Sequence, residues 1–426
     1  MDHNSKGNMH VIIIGNGIAG NTAAEAIREC DPQARITMIS DEAVPLYSAC
    51  VLPDYLASEI ERQRVFLKSL NDYAEQGIEI ILGQRAVEID LERKRLLLEN
   101  KTLLYDKLII ATGGKSQIPS IDGVNLEGVS PFKSFDDTER ISNYVGKKAV
   151  VMGSGPIGTK ASIALRTRGI EVSIALRTRH WVVPRVFDKE ASLLIQRVLE
   201  EHGINILVGE RIVKILGNGK VKGVITDKRE RDCDMVVIAA GIRPDVELAQ
   251  RAGIEIGSLG GIKVSQHMET NAHGVFACGD CVESKDMVTG KDTLNLLWPN
   301  AKLQGAVAGY NSVGANRSYP GSLNAIGIKA FGTHAVSVGT SVANLDNDKG
   351  VEIIEKTQGD NYLRLVILDG VLVGAQAVGK ISDMGVLLSA ALRREHLGDI
   401  HRVVNNRILL SMNPVCGKIA QFMNIR

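Results

Sequence analysis

Short apolar runs that end in glycine divide this chain into a regular series of elements. The first run is His10–Ile14, and it leads into Gly15, Asn16, Gly17, Ile18, Ala19 and Gly20. The second run is Lys148–Met152, and it leads into Gly153, Ser154, Gly155, Pro156, Ile157 and Gly158. A short apolar run bounded by glycine predicts a buried strand, and a helix-forming stretch follows each. We therefore predict two strand–turn–helix units, with residues 15–20 as the first glycine motif and residues 153–158 as the second.

The spacing Gly-x-Gly-x-x-Gly in this context is typical of a dinucleotide site. The first glycine allows the tight turn, the second lets backbone approach a pyrophosphate, and the third lets helix and strand pack closely. The start of the helix then directs amide donors and a positive dipole at the phosphates. Two copies predict two dinucleotides and electron transfer between them.

The two motifs belong to a longer internal repeat. Residues 77–83 and 203–209 are matching apolar runs between glycines, and a hairpin is predicted after each; Asn218-Gly219 marks the second turn. Apolar strands ending in small residues follow at 109–114 and 237–241. We interpret these as two units of one plan. The first unit is longer, and its surplus falls around residues 45–56, a candidate place for specific chemistry.

Composition narrows the class. A chain of 426 residues is too long for one ordinary hydrophobic core, so more than one domain is expected. The net charge of +1 gives no reason to expect a nucleic-acid partner. No apolar run reaches the roughly 18 residues that span a bilayer, and the first nine residues lack a signal peptide's apolar region. We therefore expect a cytoplasmic protein. The six cysteines are scattered, and no metal-ligand spacing is evident, so no metal site is predicted.

Further motifs point to a family. Residues 270–280 form a turn and a short strand ending in Cys278-Gly279-Asp280, and the earlier strand ends in Ala111-Thr112-Gly113. Gly241-Ile242-Arg243-Pro244 follows the second repeat. Over roughly residues 9–315 the chain resembles the flavoprotein reductases with two dinucleotide-binding domains. That family includes NADH oxidase, coenzyme A-disulfide reductase, rubredoxin reductase and the flavin part of nitrite reductase.

The resemblance implies an α/β fold with two Rossmann-like dinucleotide-binding domains, the second inserted in the first, plus a C-terminal α+β domain. Residues 1–115 and 245–318 would bind FAD, residues 116–244 would bind NAD(P), and residues 319–426 would form an interface domain. In this last region, alternation predicts antiparallel strands at 325–342, 350–355, 363–368 and 371–378. Helices are predicted at 382–394 and 397–410.

The resemblance also implies an FAD site. The first glycine motif would hold the pyrophosphate, and Asp280 would bond the ribityl chain. Asp41, or its neighbour Glu42, would bond the adenosine ribose. Pro299 and Asn300 would open a helix that points its positive end at the flavin, although an ordinary packing helix remains the alternative. The flavin-binding set is Gly15, Gly17, Ile18, Ala19, Gly20, Asp41, Glu42, Ala111, Thr112, Gly113, Gly279, Asp280, Pro299 and Asn300.

The second site would take NADH or NADPH. Its predicted residues are Gly153, Gly155, Pro156, Ile157, Gly158, Arg177, Arg179 and Gly241. The acid typical of NAD sites is missing at Leu176, and the arginines that follow favour NADPH weakly. The heptapeptide Ser-Ile-Ala-Leu-Arg-Thr-Arg occurs at 162–168 and again at 173–179; we predict a helix for the first copy and a strand for the second.

Cys50 lies in a segment resembling the one that carries the single redox cysteine of NADH oxidase and coenzyme A-disulfide reductase. At a helix start beside a flavin, a thiolate there would be a nucleophile. The alternative is a buried, inert thiol. Cys278 and Cys281 are predicted to be structural.

We therefore expect an FAD-dependent NAD(P)H:acceptor oxidoreductase. The acceptor would be a redox partner protein with an iron–sulfur cluster or a ferredoxin-like fold, as in flavoprotein subunits of phenylglyoxylate dehydrogenase-like 2-oxoacid:acceptor complexes. A homodimer, or a subunit of such a complex, is expected. A stand-alone NADH oxidase or coenzyme A-disulfide-type reductase using Cys50 is the alternative.

Overall fold

The computed structural model describes residues 8–177, 181–345 and 350–394. The strands are β1 (His10–Ile14), β2 (Arg35–Ile39), β3 (Ile78–Ile81), β4 (Ala86–Asp90), β5 (Arg95–Leu98), β6 (Thr102–Leu104), β7 (Lys107–Ile110), β8 (Gly114–Ser116), β9 (Val129–Pro131), β10 (Lys148–Met152), β11 (Glu171–Leu176), β12 (Ile204–Val208), β13 (Ile212–Asn218), β14 (Lys220–Thr226), β15 (Glu230–Asp232), β16 (Met235–Ile238), β17 (Ile242–Pro244), β18 (Ile262–Lys263), β19 (Val275–Ala277), β20 (Val282–Lys285), β21 (Asp292–Thr293), β22 (Ala325–Ala330), β23 (Thr333–Gly339), β24 (Val351–Gln358), β25 (Asn361–Leu368) and β26 (Val371–Val378). The helices are α1 (Ile18–Cys30), α2 (Leu52–Leu56), α3 (Leu70–Glu75), α4 (Phe135–Asn143), α5 (Pro156–Thr167), α6 (Lys189–Glu201), α7 (Glu247–Arg251), α8 (Trp298–Ser312) and α9 (Met384–Arg393).

The chain divides into two compact units. Unit 1 comprises Met1–Cys50, Glu61–Lys115 and Ile242–Ser322. Unit 2 comprises Val51–Ile60, Ser116–Gly241 and the chain from Leu323 onward. The C-terminal region thus groups with the 116–241 segment. Which cofactor each part binds stays a prediction at this point.

A five-stranded parallel sheet forms the centre of unit 1, in the order β19-β7-β1-β2-β3. The apolar runs that predicted strands are buried here, because helices or loops cover both faces of such a sheet. Val11, Ile12 and Ile13 of β1 are fully buried. The parallel register brings the carboxyl ends of β1, β2, β7 and β19 to one edge. This edge carries the first glycine motif.

Helices α1 and α8 of unit 1 pack with almost no side-chain separation. A Cβ added to Gly305 of α8 would lie 2.2 Å from the carbonyl oxygen of Ala19 in α1. One turn further on, a Cβ on Gly309 would lie 2.3 Å from the Ala23 carbonyl oxygen. Glycines spaced four apart therefore let the two helix backbones meet.

Unit 2 repeats the plan. Its parallel sheet has the order β12-β11-β10-β16-β9, with the β13–β14–β15 sheet beside it. The predicted hairpin at Asn218-Gly219 is confirmed, since Asn218 pairs with Lys220 across Gly219. The two copies of the heptapeptide fall in α5 and in β11, as predicted for the residues described. Thr178 and Arg179, at the end of the second copy, lie outside the described residues.

The C-terminal part of unit 2 is an antiparallel sheet in the order β22-β23-β26-β25-β24, with α9 packed against β23 and β26. The predicted strands are confirmed, and the run 325–342 proves to be the hairpin of β22 and β23. The predicted helix at 382–394 corresponds to α9. The predicted helix at 397–410 lies outside the described residues. No helix within the described ranges is long and apolar enough to cross a membrane.

Candidate dinucleotide sites

The first glycine motif is a turn that only glycine permits. Gly15 has φ 118°, and a Cβ there would lie 2.0 Å from the carbonyl oxygen of Ala111. A Cβ on Gly20 would lie 2.1 Å from the Gly15 carbonyl oxygen. The first close approach is between the turn after β1 and the residue after β7. The second is between this turn and the first turn of α1. Both positions exclude any side chain.

The N-terminus of α1 is open to an anion. Gly17 is its N-cap, makes no side-chain cap hydrogen bond, and is followed by no acidic residue in the first turn. A Cβ built on Gly17 would meet no atom within 4 Å. By contrast, Ser69 caps the N-terminus of α3 in a capping box. Unsatisfied amide donors and the helix dipole at an open end fit a pyrophosphate.

A buried network behind this turn was not predicted. The Tyr73 hydroxyl donates to Asn16 Oδ1 at 2.7 Å and accepts from the Leu46 amide at 3.0 Å. Asn16 Nδ2 donates to the Val44 carbonyl at 3.2 Å, and Asn21 Nδ2 donates to Asn16 Oδ1 at 2.9 Å. The variable position of the motif thus ties the turn to the segment that leads to Cys50. In the sequence, the only indication of this network was that Asn16 is a polar residue in an apolar stretch.

The two candidate ribose acids after β2 differ in surroundings. Asp41 is exposed. Glu42 is partly buried, and its Oε1 accepts a hydrogen bond from the Tyr47 hydroxyl at 3.1 Å. The carboxylate of Glu42 therefore has a protein partner, whereas that of Asp41 faces solvent at the sheet edge.

The ends of β7 and β19 meet the start of α8. The Thr112 hydroxyl donates to the Asp245 carbonyl at 2.6 Å. Gly279 has φ 82°, and its amide donates to Gln304 Oε1 in α8 at 2.9 Å. A Cβ added to Gly114 would lie 3.8 Å from the Cβ of Asp280, which is partly buried. Sequence reasoning missed Gln304, which is 3% exposed and fixes the turn before Asp280.

Helix α8 also begins without a side-chain cap. Leu297 is its N-cap, Pro299 lies in its first turn, and that turn holds no acidic residue. Asn300 is buried and donates from Nδ2 to the Asn295 carbonyl at 3.2 Å. This open N-terminus and that of α1 belong to the same unit, where the two helices pack together.

The cysteines divide by environment. Cys278 and Cys281 are fully buried, and burial raises the pKa of both thiols, that of Cys281 to about 11. A raised pKa suppresses thiolate formation, in agreement with a structural role. Cys50 is exposed, on a 3-10 helix (Ala49–Val51) directly before α2. The alternative of a buried Cys50 is therefore wrong.

The second glycine motif reproduces the geometry of the first. Gly153 has φ 116°, and a Cβ there would lie 2.3 Å from the Ala239 carbonyl oxygen. A Cβ on Gly158 would lie 2.1 Å from the Gly153 carbonyl oxygen. Gly155 is the N-cap of α5, again without a side-chain cap or a first-turn acid. Pro156 begins the helix, and Ile157 is 47% exposed.

Arg177 and Gly241, two further predicted residues of the second site, follow strands of the same parallel sheet. Leu176 ends β11 and is buried, and Arg177 after it is exposed. Arg179 lies outside the described residues. Gly241 has φ 115° and follows β16, which pairs with β10. Within residues 8–177, 181–345 and 350–394, no group of His, Cys, Asp and Glu side chains is placed to hold a metal ion.

Comparisons with known proteins agree with this geometry. The sequence pattern of the family described as pyridine nucleotide-disulphide oxidoreductase matches residues 9–305. An NADH oxidase from Methanocaldococcus jannaschii is 30% identical over 424 residues, covering 92% of this chain and 94% of that protein. The NADH-dependent phenylglyoxylate dehydrogenase subunit epsilon from Aromatoleum evansii is 28% identical over 393 residues, covering 91% and 92%.

Among solved structures, the NAD-dependent persulfide reductase from A. fulgidus superimposes with a TM-score of 0.86 at 29% identity, covering 98% of this chain and 83% of that one. The predicted resemblance and the α/β fold class are confirmed. The relatives named here are pyridine nucleotide-dependent oxidoreductases, as was expected for this protein. The chain belongs to the pyridine nucleotide-disulphide oxidoreductase family, whose members use FAD and NAD(P)H.

Proposed function

We propose that this protein transfers hydride between NAD(P)H at the second glycine motif and FAD at the first, and passes the electrons to a redox partner protein. The observation that carries the proposal is the duplicated geometry of Gly15 and Gly153, each beside a helix that begins without a side-chain cap. FAD supplies the redox chemistry, accepting hydride and releasing electrons. The protein binds and orients both cofactors.

In the proposed FAD site, the first amides of α1 bind the pyrophosphate. Asp41 bonds the adenosine ribose, which its exposed carboxylate supports; Glu42 is the alternative. Asp280 bonds the ribityl chain from a turn that Gln304 holds in place. The N-terminus of α8 places positive potential at the flavin, which stabilises negative charge on the reduced ring.

In the proposed NAD(P)H site, the first amides of α5 bind the pyrophosphate. Arg177 lies exposed at the end of β11, where a 2′-phosphate would be recognised. Relatives named as NADH-dependent or NAD-dependent support NADH, and the arginine supports NADPH. The choice between the two nucleotides is tested in the Discussion.

A partner protein as acceptor is supported by the state of the thiols. A dithiol relay needs a second reactive cysteine, and in the described part of the chain Cys278 and Cys281 are buried with raised pKa values. In this proposal, electrons leave directly from the flavin. The phenylglyoxylate dehydrogenase subunit, which matches over nearly its whole length, is named as one subunit of a larger enzyme, and this supports a protein partner, which we propose to be an iron–sulfur or ferredoxin-like protein. We also propose that the chain assembles as a homodimer or within such a complex.

The second candidate function uses Cys50. Its thiol is exposed on a 3-10 helix, so a small disulfide, persulfide or oxygen-derived substrate can reach it. The relative named as a persulfide reductase supports this candidate. Here the Cys50 thiolate would displace a thiolate from a disulfide, leaving a mixed disulfide, or hydroxide from a peroxide, leaving a sulfenic acid. Two electrons from reduced flavin would then return Cys50 to the thiolate and release the second thiol or water.

Replacement of Cys50 by serine separates the two. With a partner protein as acceptor, Cys50→Ser keeps NAD(P)H-to-dye activity and ferredoxin reduction near the parent level. With a thiol mechanism, Cys50→Ser abolishes disulfide or peroxide turnover while NAD(P)H still bleaches the flavin. Cys30→Ser is the matched control, because Cys30 is also exposed but lies at the end of α1. Robust coenzyme A-disulfide or oxygen reduction that Cys50→Ser removes would overturn the partner-protein proposal.

A further inference from the structure

The loop at residues 182–188, which leads into α6, contacts the second glycine motif. The Val183 amide donates to the Ser154 carbonyl, inside that motif, at 2.7 Å. Val183 is fully buried and has φ 46°, a left-handed conformation that β-branched residues rarely adopt. Such a conformation persists only where the surroundings determine it. The loop must therefore be held firmly at its other end.

That other end is bonded to the C-terminal sheet of the same unit. Ser337 Oγ in β23 donates to the Val186 carbonyl at 2.8 Å. The Asp188 amide donates to Gln376 Oε1 in β26 at 2.9 Å, and Gln376 Nε2 donates back to Asp188 Oδ2 at 3.1 Å. The whole set is buried, so water does not compete for these hydrogen bonds.

Arg364 of β25 forms ion pairs with acidic side chains at this end of the loop. Its side chain is 9% exposed, and its Nη1 lies 3.0 Å from Asp188 Oδ2. Its Nη2 lies 2.6 Å from Glu190 Oε2, and the same guanidinium contacts Glu355. One arginine therefore contacts three carboxylates, of which that of Asp188 is buried and those of Glu190 and Glu355 are exposed. Without it, the buried carboxylate of Asp188 loses this ion pair, which is costly in a site that water does not reach.

We propose that Arg364 is a positioning residue for the NAD(P)H site. Through Asp188 it holds the 182–188 loop, and through the Val183–Ser154 hydrogen bond that loop holds the turn before α5. Amide donors that are fixed before the ligand arrives bind a pyrophosphate more tightly than mobile ones. The C-terminal sheet, where the sequence offered no catalytic candidate, thereby sets nucleotide affinity. The inference rests on the proposed nucleotide site.

Two measurements on the FAD-loaded protein test this role. The first is hydrogen–deuterium exchange of the peptide spanning residues 182–188, without nucleotide. The second is the Kd for NADH and for NADPH, taken from the concentration dependence of flavin reduction. Arg364→Gln is expected to increase exchange in this peptide and to raise the Kd by about five- to tenfold. FAD content and the limiting reduction rate stay near the parent values. Arg364→Lys, which retains a cation, falls between.

His202→Ala is the matched control. His202 at the end of α6 stacks on Phe331 of the C-terminal hairpin, with ring centroids 4.2 Å apart, so it joins the same two parts of unit 2 without touching the loop. It should leave both measurements unchanged. If Arg364→Gln fails to fold, Ser337→Ala, which removes only the bond to Val186, is measured in its place.

Two outcomes overturn the inference. The first is that Arg364→Gln shows the hydrogen–deuterium exchange of the parent and a Kd within about twofold of the parent value. This would contradict the positioning role of Arg364 but not the proposed nucleotide site. An equal rise in Kd for His202→Ala would show a general effect of loosening the C-terminal sheet. A parent protein whose flavin neither nucleotide reduces would instead reject the proposed function together with this inference.

Discussion

The carbonyl oxygen of Ala19 lies 2.2 Å from the position that a Cβ on Gly305 would occupy. Because that oxygen belongs to the backbone of α1, it cannot rotate away, and α8 must move instead. Both helices begin at the proposed flavin site, so their spacing sets where their amide donors lie. The absence of a side chain at Gly305 therefore determines how far apart the N-termini of α1 and α8 lie in the proposed flavin site.

We expect Gly305→Ala to lower the free energy of unfolding by roughly 1–3 kcal/mol through overpacking, and to lower FAD content as purified. Urea unfolding and the flavin absorbance ratio measure the two effects. Gly385→Ala in α9 is the control, because a Cβ there meets no atom within 4 Å and alanine favours the helix. Wild-type stability in Gly305→Ala would contradict the tight contact.

Asp280→Ala should weaken FAD binding. Losing a hydrogen bond to a buried ribityl hydroxyl costs on the order of 1–3 kcal/mol, which is roughly five- to 150-fold in Kd. Fluorescence titration of FAD into the apoprotein measures it. Asp292→Ala is the control, since Asp292 forms an exposed ion pair with Lys285. Full flavin content with unchanged affinity would rule out the assignment of Asp280.

Arg177→Ala tests nucleotide choice. If Arg177 binds a 2′-phosphate, the variant should raise KM for NADPH about tenfold or more, the value of a charge-assisted hydrogen bond, and leave NADH unaffected. Steady-state kinetics with both nucleotides decide this. Arg168→Ala, an exposed arginine after α5 that bonds Ser142, is the control. A parent that uses NADH alone would show that Arg177 has no phosphate to bind.

Glu210 predicts how stability responds to acid. Its side chain is 1% exposed beside Arg229 and Arg231. Burial opposes ionisation, but hydrogen bonds from Arg229, Arg231 and Thr226 outweigh it and lower the pKa of Glu210 from 4.5 to about 2. Because the folded pKa is depressed, this stabilisation is present above pH 4.5 and is lost as the pH falls toward 2.

Glu210→Gln should therefore unfold more easily at neutral pH, by about 3 kcal/mol, and lose less stability between pH 4.5 and 2 than the parent. Urea unfolding at several pH values measures both. Glu230→Gln, an exposed acid in the neighbouring strand β15, is the control. Parallel pH curves for Glu210→Gln and the parent would refute the shift.

The dinucleotide turns could be predicted because their determinants are local. Gly15 and Gly153 need a positive φ and a close backbone approach, and few other residues tolerate either. The strands of the C-terminal sheet could also be predicted from the sequence, because alternating apolar and polar residues indicate an antiparallel sheet with one covered face. Roles of individual site residues, such as Asp280 and Arg177, stay predictions.

Long-range pairings could not be predicted in the same way. Gln304 meets the Gly279 amide, and Arg364 meets Asp188, only because folding brings distant segments together. The repeated heptapeptide shows the limit directly. Its first copy lies in α5 and its second begins in β11, so identical local preference yields helix or strand according to the tertiary surroundings.

The order of strands in unit 1 has a consequence for synthesis on the ribosome. In the sheet β19-β7-β1-β2-β3, β7 ends at Ile110, but its outer neighbour β19 begins only at Val275. The nascent chain therefore carries β7 with an open hydrogen-bonding edge while the intervening segment of unit 2 emerges. At about 5–20 residues per second this interval lasts many seconds. An open apolar edge invites pairing with other chains, so a stalled or truncated product that stops before Val275 is the form of this protein most exposed to aggregation.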